Sequence, residues 1–321
     1  MKAIVQDGYG SPDVLELSNV PKPEIAHDEV LVQVRAVSVG AWVGHLVRGH
    51  PHAMRLAIGL RKPRQPIRAS DLAGEVVAVG TSVDRFAIGD AVYGEVDSAF
   101  AEFVAAPVDS LAIMPSNLSF VEAAAVPVAG LTALFALRDH GHVQAGQRLL
   151  IIGAAGGVGS FAVQLGKIMG AEVTAVCSSA SVDFVRELGA DHVIDYTTQA
   201  IGSGPERYDV IFQSGGNNSI AQMRKALTER GTIVLSSGEG GRWLGPLPRL
   251  AMATAMSPFI GPTLRTFVQS ITPADLEYLT GLIERDELRP VIDATYPFAE
   301  TANAVERFLG GHNRGKIVVT L

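Results

Sequence analysis

The chain has 321 residues, 47% hydrophobic and 18% charged, which is enough apolar material for two folded domains and too much for a disordered chain. A formal net charge of −7, with no evident basic face, argues against nucleic acid as a partner. The single cysteine, Cys177, excludes an intrachain disulfide and a multi-cysteine zinc site, and it fits a reducing compartment, the cytoplasm.

The opening residues, Met1 to Asp7, lack the apolar run of a signal peptide. No stretch of about 18 uninterrupted apolar residues is present for a membrane span. Residues 29–37 alternate polar and apolar, as a half-buried strand does. Further short strands are expected at 72–80, 90–94 and 101–104, with no helix between them, the pattern of a barrel or sandwich. Ser119 followed three residues later by Glu122 is a capping box, and residues 123–137 are rich in alanine and leucine, so a helix is expected there.

From Gln147 onward strand and helix alternate. Strands are expected at 148–152, 172–176, 192–194, 208–212 and 232–235, and helices at 157–169, 182–188 and 220–227. That order predicts a doubly wound parallel sheet, an α/β Rossmann domain. Residues 238–241 read as a glycine-rich loop, and 247–260 as an apolar stretch. Thr272-Pro273 opens a helix whose apolar stripe is 276–283, and residues 316–321 form a final strand.

The strongest chemical signal is Gly153-Ala154-Ala155-Gly156-Gly157-Val158-Gly159, between an apolar strand and a helix. Ala154 takes the place of the first fingerprint glycine. Gly156 is expected to let the backbone approach a pyrophosphate, and Gly159 to let the helix pack closely on the strand. Amides at the helix start then face the phosphate charge. An acid at the end of the next strand would hold the ribose of NAD, but the chain there reads Cys177-Ser178-Ser179-Ala180. Hydroxyls of Ser178 and Ser179 can donate to a 2′-phosphate, so NADPH is the expected cofactor.

Several segments together resemble the medium-chain dehydrogenase/reductase superfamily in its zinc-independent quinone oxidoreductase branch. They are residues 71–80, 86–94, 123–133, the glycine loop and 188–196. The resemblance implies a GroES-like catalytic domain from both chain ends, residues 1–120 plus 287–321, with a Rossmann domain, 121–286, inserted into it. It also implies a cofactor cleft between the domains and a homodimer. By the same resemblance, Thr132 contacts the nicotinamide ribose, and Ser178 and Tyr196 lie near the adenosine phosphate. Leu235, Ser236 and Gly238 line the nicotinamide, and Asn313 and Arg314 approach the cofactor from the C-terminal segment.

The chain departs from relatives at Gly40 and Val43, where Asn and Asp are common, and at Ala180, where an Arg often stands. Zinc-dependent relatives carry Cys at the position of Gly40 and Gly-His-Glu at Ser70-Asp71-Leu72, so no zinc site is expected. His45, His50 and His52 read as polar residues lining a loop. No catalytic residue stands out. The expected reaction is hydride transfer from NADPH to a small quinone or α,β-unsaturated carbonyl, with 42–60 and 247–260 as pocket walls. An NADPH-binding sensor with little turnover is the alternative, and a zinc alcohol dehydrogenase is disfavoured by ligand count.

Overall fold

The computed structural model describes residues 1–236, 243, 263–267 and 271–321. Contacts divide the chain into two compact units, Met1–Leu131 with Ser270–Leu321, and Thr132–Gln269. The described strands of the first segment are β1 (Lys2–Gln6), β2 (Leu15–Asn19), β3 (Glu29–Val39), β4 (Asp71–Val79), β5 (Ala91–Glu95), β6 (Phe103–Pro107) and β7 (Leu111–Ile113). The second unit carries β8 (Arg148–Ile152), β9 (Glu172–Cys177), β10 (His192–Asp195), β11 (Tyr208–Gln213), β12 (Leu227–Leu235) and β13 (Thr263–Thr266). The chain returns to the first unit with β14 (Ile292–Pro297) and β15 (Lys316–Thr320).

In the first unit β14, β15, β3, β4, β5 and β7 follow one another across a sheet, and β6 also pairs with β3. The alternation in β3 shows in its burial: Val30, Val32, Val34 and Ala36 are buried, while Glu29, Gln33 and Arg35 on the other face are partly or fully exposed; only Leu31 and the end from Val37 to Val39 are buried on both faces. It is a central strand, paired with β4 along one edge and with β6 and β15 at the two ends of the other. The helix Pro273–Glu284 is anchored in this unit. Tyr93 Oη donates to the Leu276 carbonyl at 2.8 Å and pairs with Thr280 Oγ1 at 2.9 Å, and Asn117 Nδ2 donates to the Ile283 carbonyl at 2.8 Å. Burial pushes the Tyr93 phenol well above its ordinary pKa, so it remains a donor.

The helix expected at 123–137 is broken. Phe120–Ala124 is capped by Ser119 and Glu122 in the predicted reciprocal box, and a second helix starts at Pro127, which fits a first turn because it lacks an N–H. Residues 42–60, read as a loop, are instead largely helical, with Ala41–Arg48 and Arg55–Ile58 flanking a turn. The burial of Val43, Leu46 and Val47 on one side explains the first helix.

In the second unit the strand order is β10-β9-β8-β11-β12-β13, all parallel. From β8 the chain moves outward to β9 and β10, then crosses back to place β11 on the other side of β8. The carboxyl ends of β8 and β11 therefore border a switch point, where open parallel sheets leave a crevice. Leu149, Leu150, Ile151 and Phe212 are fully buried in the sheet, as strands covered on both faces require.

Candidate functional site

The glycine turn leaves β8 at the switch point and enters the helix Gly157–Ile168. Its glycines do different jobs. Gly153 has φ +83°, which favours glycine, and a Cβ there would stand 2.9 Å from the Gly215 amide nitrogen. At Gly159 a Cβ would overlap the Gly153 carbonyl and lie 2.7 Å from the Ala154 Cα, so close packing of helix on turn requires glycine. At Gly156 a Cβ would meet, among the described residues, only the Gly153 carbonyl oxygen, at an ordinary 3.5 Å, and φ is −75°. Among the described residues, nothing needs Gly156 to lack a side chain.

Gly156 is also the N-cap residue, and no side chain caps the helix. The amides of Gly157, Val158 and Gly159 belong to its first turn, where a helix offers no acceptor. Uncapped amides beside a position kept clear of a Cβ fit a diphosphate, with the helix dipole adding to the attraction. Ala154 is fully buried, and its amide donates to the Val176 carbonyl at 3.1 Å, so it holds the turn to β9. Ala155 is half-buried on the same turn.

Ser178 and Tyr196 follow the carboxyl ends of the neighbouring strands β9 and β10, and the Tyr196 amide donates to the Cys177 carbonyl at 3.0 Å. Ser179 departs from the expectation that its hydroxyl serves a phosphate. Its Oγ donates to Asp195 Oδ2 at 2.5 Å and pairs with Thr197 Oγ1 at 2.8 Å. Hydrogen bonds from Ser179 and Thr197 hold the Asp195 carboxyl below the usual carboxylate range. A carboxylate thus sits at this end of the sheet, contributed by the next strand rather than by the turn after β9.

Leu235 is buried at the end of β12, and Ser236 follows it, its amide donating to the Gln213 carbonyl at 3.3 Å. Gly238, residues 238–241 and residues 247–260 lie outside the described residues. Thr132 lies in the helix Pro127–Leu134, at the first residue of the second unit. Asn313 and Arg314 belong to the first unit. There Asn313 Oδ1 accepts from Arg307 at 2.7 Å, its Nδ2 donates to the Phe308 carbonyl at 3.2 Å, and the Arg314 amide donates to Asp293 at 3.1 Å. Sequence reasoning missed Ser214, Gly215 and Gly216, which close the switch point opposite the glycine turn, where Ser214 Oγ donates to the Ile152 carbonyl at 3.0 Å. The signal was a glycine pair directly after the β11 run.

The first unit holds a second polar centre. Asp71 and Lys316 form an ion pair with Oδ2 and Nζ 3.0 Å apart, and each side chain is only 5% exposed. Asp71 Oδ2 also accepts from Ser38 Oγ at 2.6 Å, and its Oδ1 accepts from the Val128 amide at 3.1 Å. Close by in sequence, Trp42, Arg68, Ser70 and Ser98 line a shallow crevice. Arg68 is buried and donates through Nε to Gln6 at 3.1 Å, while its Nη2 has no hydrogen-bond partner among the described residues. Ala69 and Ser98 both have φ +69°, a strained backbone of the kind that collects at functional sites.

Zinc does not fit this centre. Gly40 offers no ligand atom, and the carboxylate of Asp71 is already paired with an ammonium, which has no lone pair to give a metal and repels a second cation. His50 and His52 pack edge to face at 4.7 Å, and among the described residues no three His, Cys, Asp or Glu side chains group as metal ligands.

A GroES-like sheet unit and a doubly wound parallel unit, with a glycine turn at the switch point, define a dehydrogenase/reductase of two units. The family described as "Alcohol dehydrogenase GroES-like domain" matches residues 26–116, and that described as "Zinc-binding dehydrogenase" matches residues 188–319. A chloroplastic quinone-oxidoreductase homolog of Spinacia oleracea is 32% identical over 99% of this chain and 98% of that protein. A chloroplastic NADPH-dependent alkenal/one oxidoreductase of Arabidopsis thaliana is 34% identical over 99% of this chain and 79% of its own length. The solved quinone oxidoreductase of Coxiella burnetii superimposes with a TM-score of 0.87 at 31% identity, covering 100% of this chain and 99% of that one. The chain belongs to the medium-chain dehydrogenase/reductase superfamily, in its quinone oxidoreductase-like branch.

Proposed function

We propose that this protein is an NADPH-dependent reductase of quinones and α,β-unsaturated carbonyls that works without zinc. The observation that carries the reading is the turn at Gly156. A position with room for a side chain is kept as glycine beside three uncapped helix amides, at the switch point of a parallel sheet. The relatives named for quinone and alkenal/one reduction supply the acceptor class.

Reduced nicotinamide, when bound, supplies the hydride. The chain's part is to hold and orient. The amides of Gly157, Val158 and Gly159 would take the diphosphate, and Ser178 and Tyr196 would take the adenosine end. Thr132, Leu235, Ser236 and Gly238 would meet the nicotinamide end, and Asn313 and Arg314 would approach from the C-terminal segment. The absence of an acid in the turn after β9 supports NADPH over NADH, and Asp195 limits that preference. A homodimer is part of the reading, on the family resemblance. The proposed compartment is the cytoplasm, on the single buried thiol; relatives named as chloroplastic or mitochondrial mark the alternatives. Among the described residues no helix is long and apolar enough to cross a membrane.

The test is a fluorescence titration with NADPH and NADH, followed by small quinones, enones and aldehydes on the same sample. NADPH oxidation with quinones or enones is expected. Tight NADPH binding with no oxidation across the panel would instead make the protein a nucleotide-binding sensor.

A further inference from the structure

The net charge of −7 hides a local excess of the opposite sign. Between Glu29 and Asp71 the chain carries no acidic residue and seven arginines and lysines. Four of the seven are engaged within the first unit. Arg35 pairs with Glu75, and the buried Arg68 donates to Gln6. Arg48 and Arg55 donate to backbone carbonyls of their own segment, and Arg55 also lies over the Tyr9 ring, 4.5 Å from its centroid. The other three, Arg61, Lys62 and Arg64, are exposed, and none has an ion-pair partner among the described residues.

These three cations share a loop with two exposed leucines, Leu56 at 70% and Leu60 at 67%. The fold holds that loop firmly from its inner side. The Arg64 amide donates to the Ile58 carbonyl at 2.8 Å and closes the base. Tyr9 Oη donates to the Gly59 carbonyl at 2.7 Å, and the Gly59 amide donates to the Arg55 carbonyl at 2.9 Å. Gly59 has φ +120°, and a Cβ there would overlap the Lys62 carbonyl, so the tight closure requires glycine. Gly59 and Pro63 are buried, while the leucines and the three cations stay in water. With its base closed, no residue of 58–64 can stand farther than about 10 Å from the Ile58–Arg64 hydrogen bond, so the charges and the apolar side chains form one patch.

We propose that this loop docks the protein on an anionic lipid bilayer, with Leu56 and Leu60 entering the interface and Arg61, Lys62 and Arg64 meeting the headgroups. The inference is independent of the reductase reading. A bilayer answers both halves of the patch, because acyl chains lie directly beneath the anionic headgroups. A nucleic acid would answer the cations and leave the leucines in water. The negative charge of the whole chain does not forbid the contact, since charges beyond a Debye length of about 8 Å are largely screened at physiological salt. Each cation near an anionic surface strengthens binding about fivefold, so three of them supply about a hundredfold. The leucines add a shallow apolar insertion, and the attachment is reversible.

The experiment mixes the full chain with sucrose-loaded vesicles and separates bound from free protein by sedimentation. One set is pure phosphatidylcholine, and the other contains about 30% phosphatidylglycerol. The protein should sediment with the anionic vesicles and stay in solution with the neutral ones, and raising salt from about 0.1 M to about 0.5 M should release most of it. Arg61→Gln/Lys62→Gln/Arg64→Gln should lower the partition coefficient about a hundredfold. Leu56→Ser/Leu60→Ser should lower it about tenfold at unchanged charge. All five side chains are exposed, so both variants should keep the wild-type circular dichroism melt.

A wild type that ignores anionic vesicles, or binds neutral ones equally well, would overturn the proposal, as would a folded triple variant that keeps its partitioning. If the triple variant does not fold, Lys62→Glu decides: reversing one charge should cost about twentyfold, and undiminished binding would sink the idea. Full partitioning by the leucine variant, or tighter binding of the wild type to heparin or duplex DNA at the same salt, would replace the bilayer with a soluble polyanion.

Discussion

At the rim of the parallel sheet the polar groups left without a helix acceptor are backbone amides, those of Gly157, Val158 and Gly159. In the other unit the polar centre is made of side chains, Asp71 with Lys316 and Ser38 both donating to it. Amides carry no net charge, need no counterion and cost little when buried within a turn. An ammonium brings a full charge but must be neutralised, and its partner must in turn be hydrogen-bonded. The first device is therefore contiguous in sequence and tolerant of its surroundings. The second draws on Ser38, Asp71, Val128 and Lys316, and it fails if either charged member is removed alone.

That contrast predicts the largest effect for breaking the pair by half. Lys316→Met leaves the Asp71 carboxylate buried without its cation, and chemical denaturation should show a loss of about 3–5 kcal/mol. Adding Asp71→Asn should restore most of it, and a double variant as unstable as the single one would mean the pair is not the source.

The glycine turn should separate its two roles. Gly159→Ala forces a Cβ onto the Gly153 carbonyl, backbone against backbone, and should cost about 3 kcal/mol. Gly156→Val should instead leave the melt nearly unchanged, since its Cβ meets only ordinary contact. NADPH affinity should nevertheless fall about a hundredfold or more, the loss of charge-assisted amide–phosphate bonds. Undiminished affinity in a folded Gly156→Val would remove the ligand from this turn.

A milder change tests the helix Pro273–Glu284. Tyr93→Phe removes donation to the Leu276 carbonyl and the pairing with Thr280, and thermal unfolding should report a loss of about 1–2 kcal/mol. No change would mean that the apolar contacts of Leu276 and Leu279 hold the helix without the hydroxyl.

What could be read in advance follows the same division. The strand–turn–helix at Gly153–Gly159 was legible because every participant lies within seven consecutive residues and the strand period gives its context. The alternating units gave the parallel sheet for the same reason. Missed features depend on pairing between distant segments: β3 shares one edge between β6 and β15, a pairing that its own alternation does not reveal. Ser38 and Lys316 meet Asp71 only because β3 lies between β4 and β15. Residues 42–60 read as a loop because glycine, proline and histidine interrupt the period, although Val43, Leu46 and Val47 supply a buried face.

The smallest expected effect tests the cofactor's adenosine end, where a side-chain charge intrudes on a site built from amides and hydroxyls. Asp195, which stands one residue past the strand expected at 192–194, accepts from Ser179 and Thr197 beside the turn after β9. Its pKa is depressed by those hydrogen bonds, so the carboxylate is charged at neutral pH and loses that charge only as pH falls through the depressed value. It would therefore oppose a 2′-phosphate bound beside Ser179 throughout the neutral range, and it also occupies the Ser179 hydroxyl as donor. Asp195→Asn removes the charge at constant shape. The ratio of NADPH to NADH affinity should rise about two- to fivefold, the scale of an exposed charge interaction, and the gain should shrink in high salt. A ratio unchanged at low ionic strength would place the 2′-phosphate away from Ser179 and leave Ser178 and the neighbouring amides as its donors.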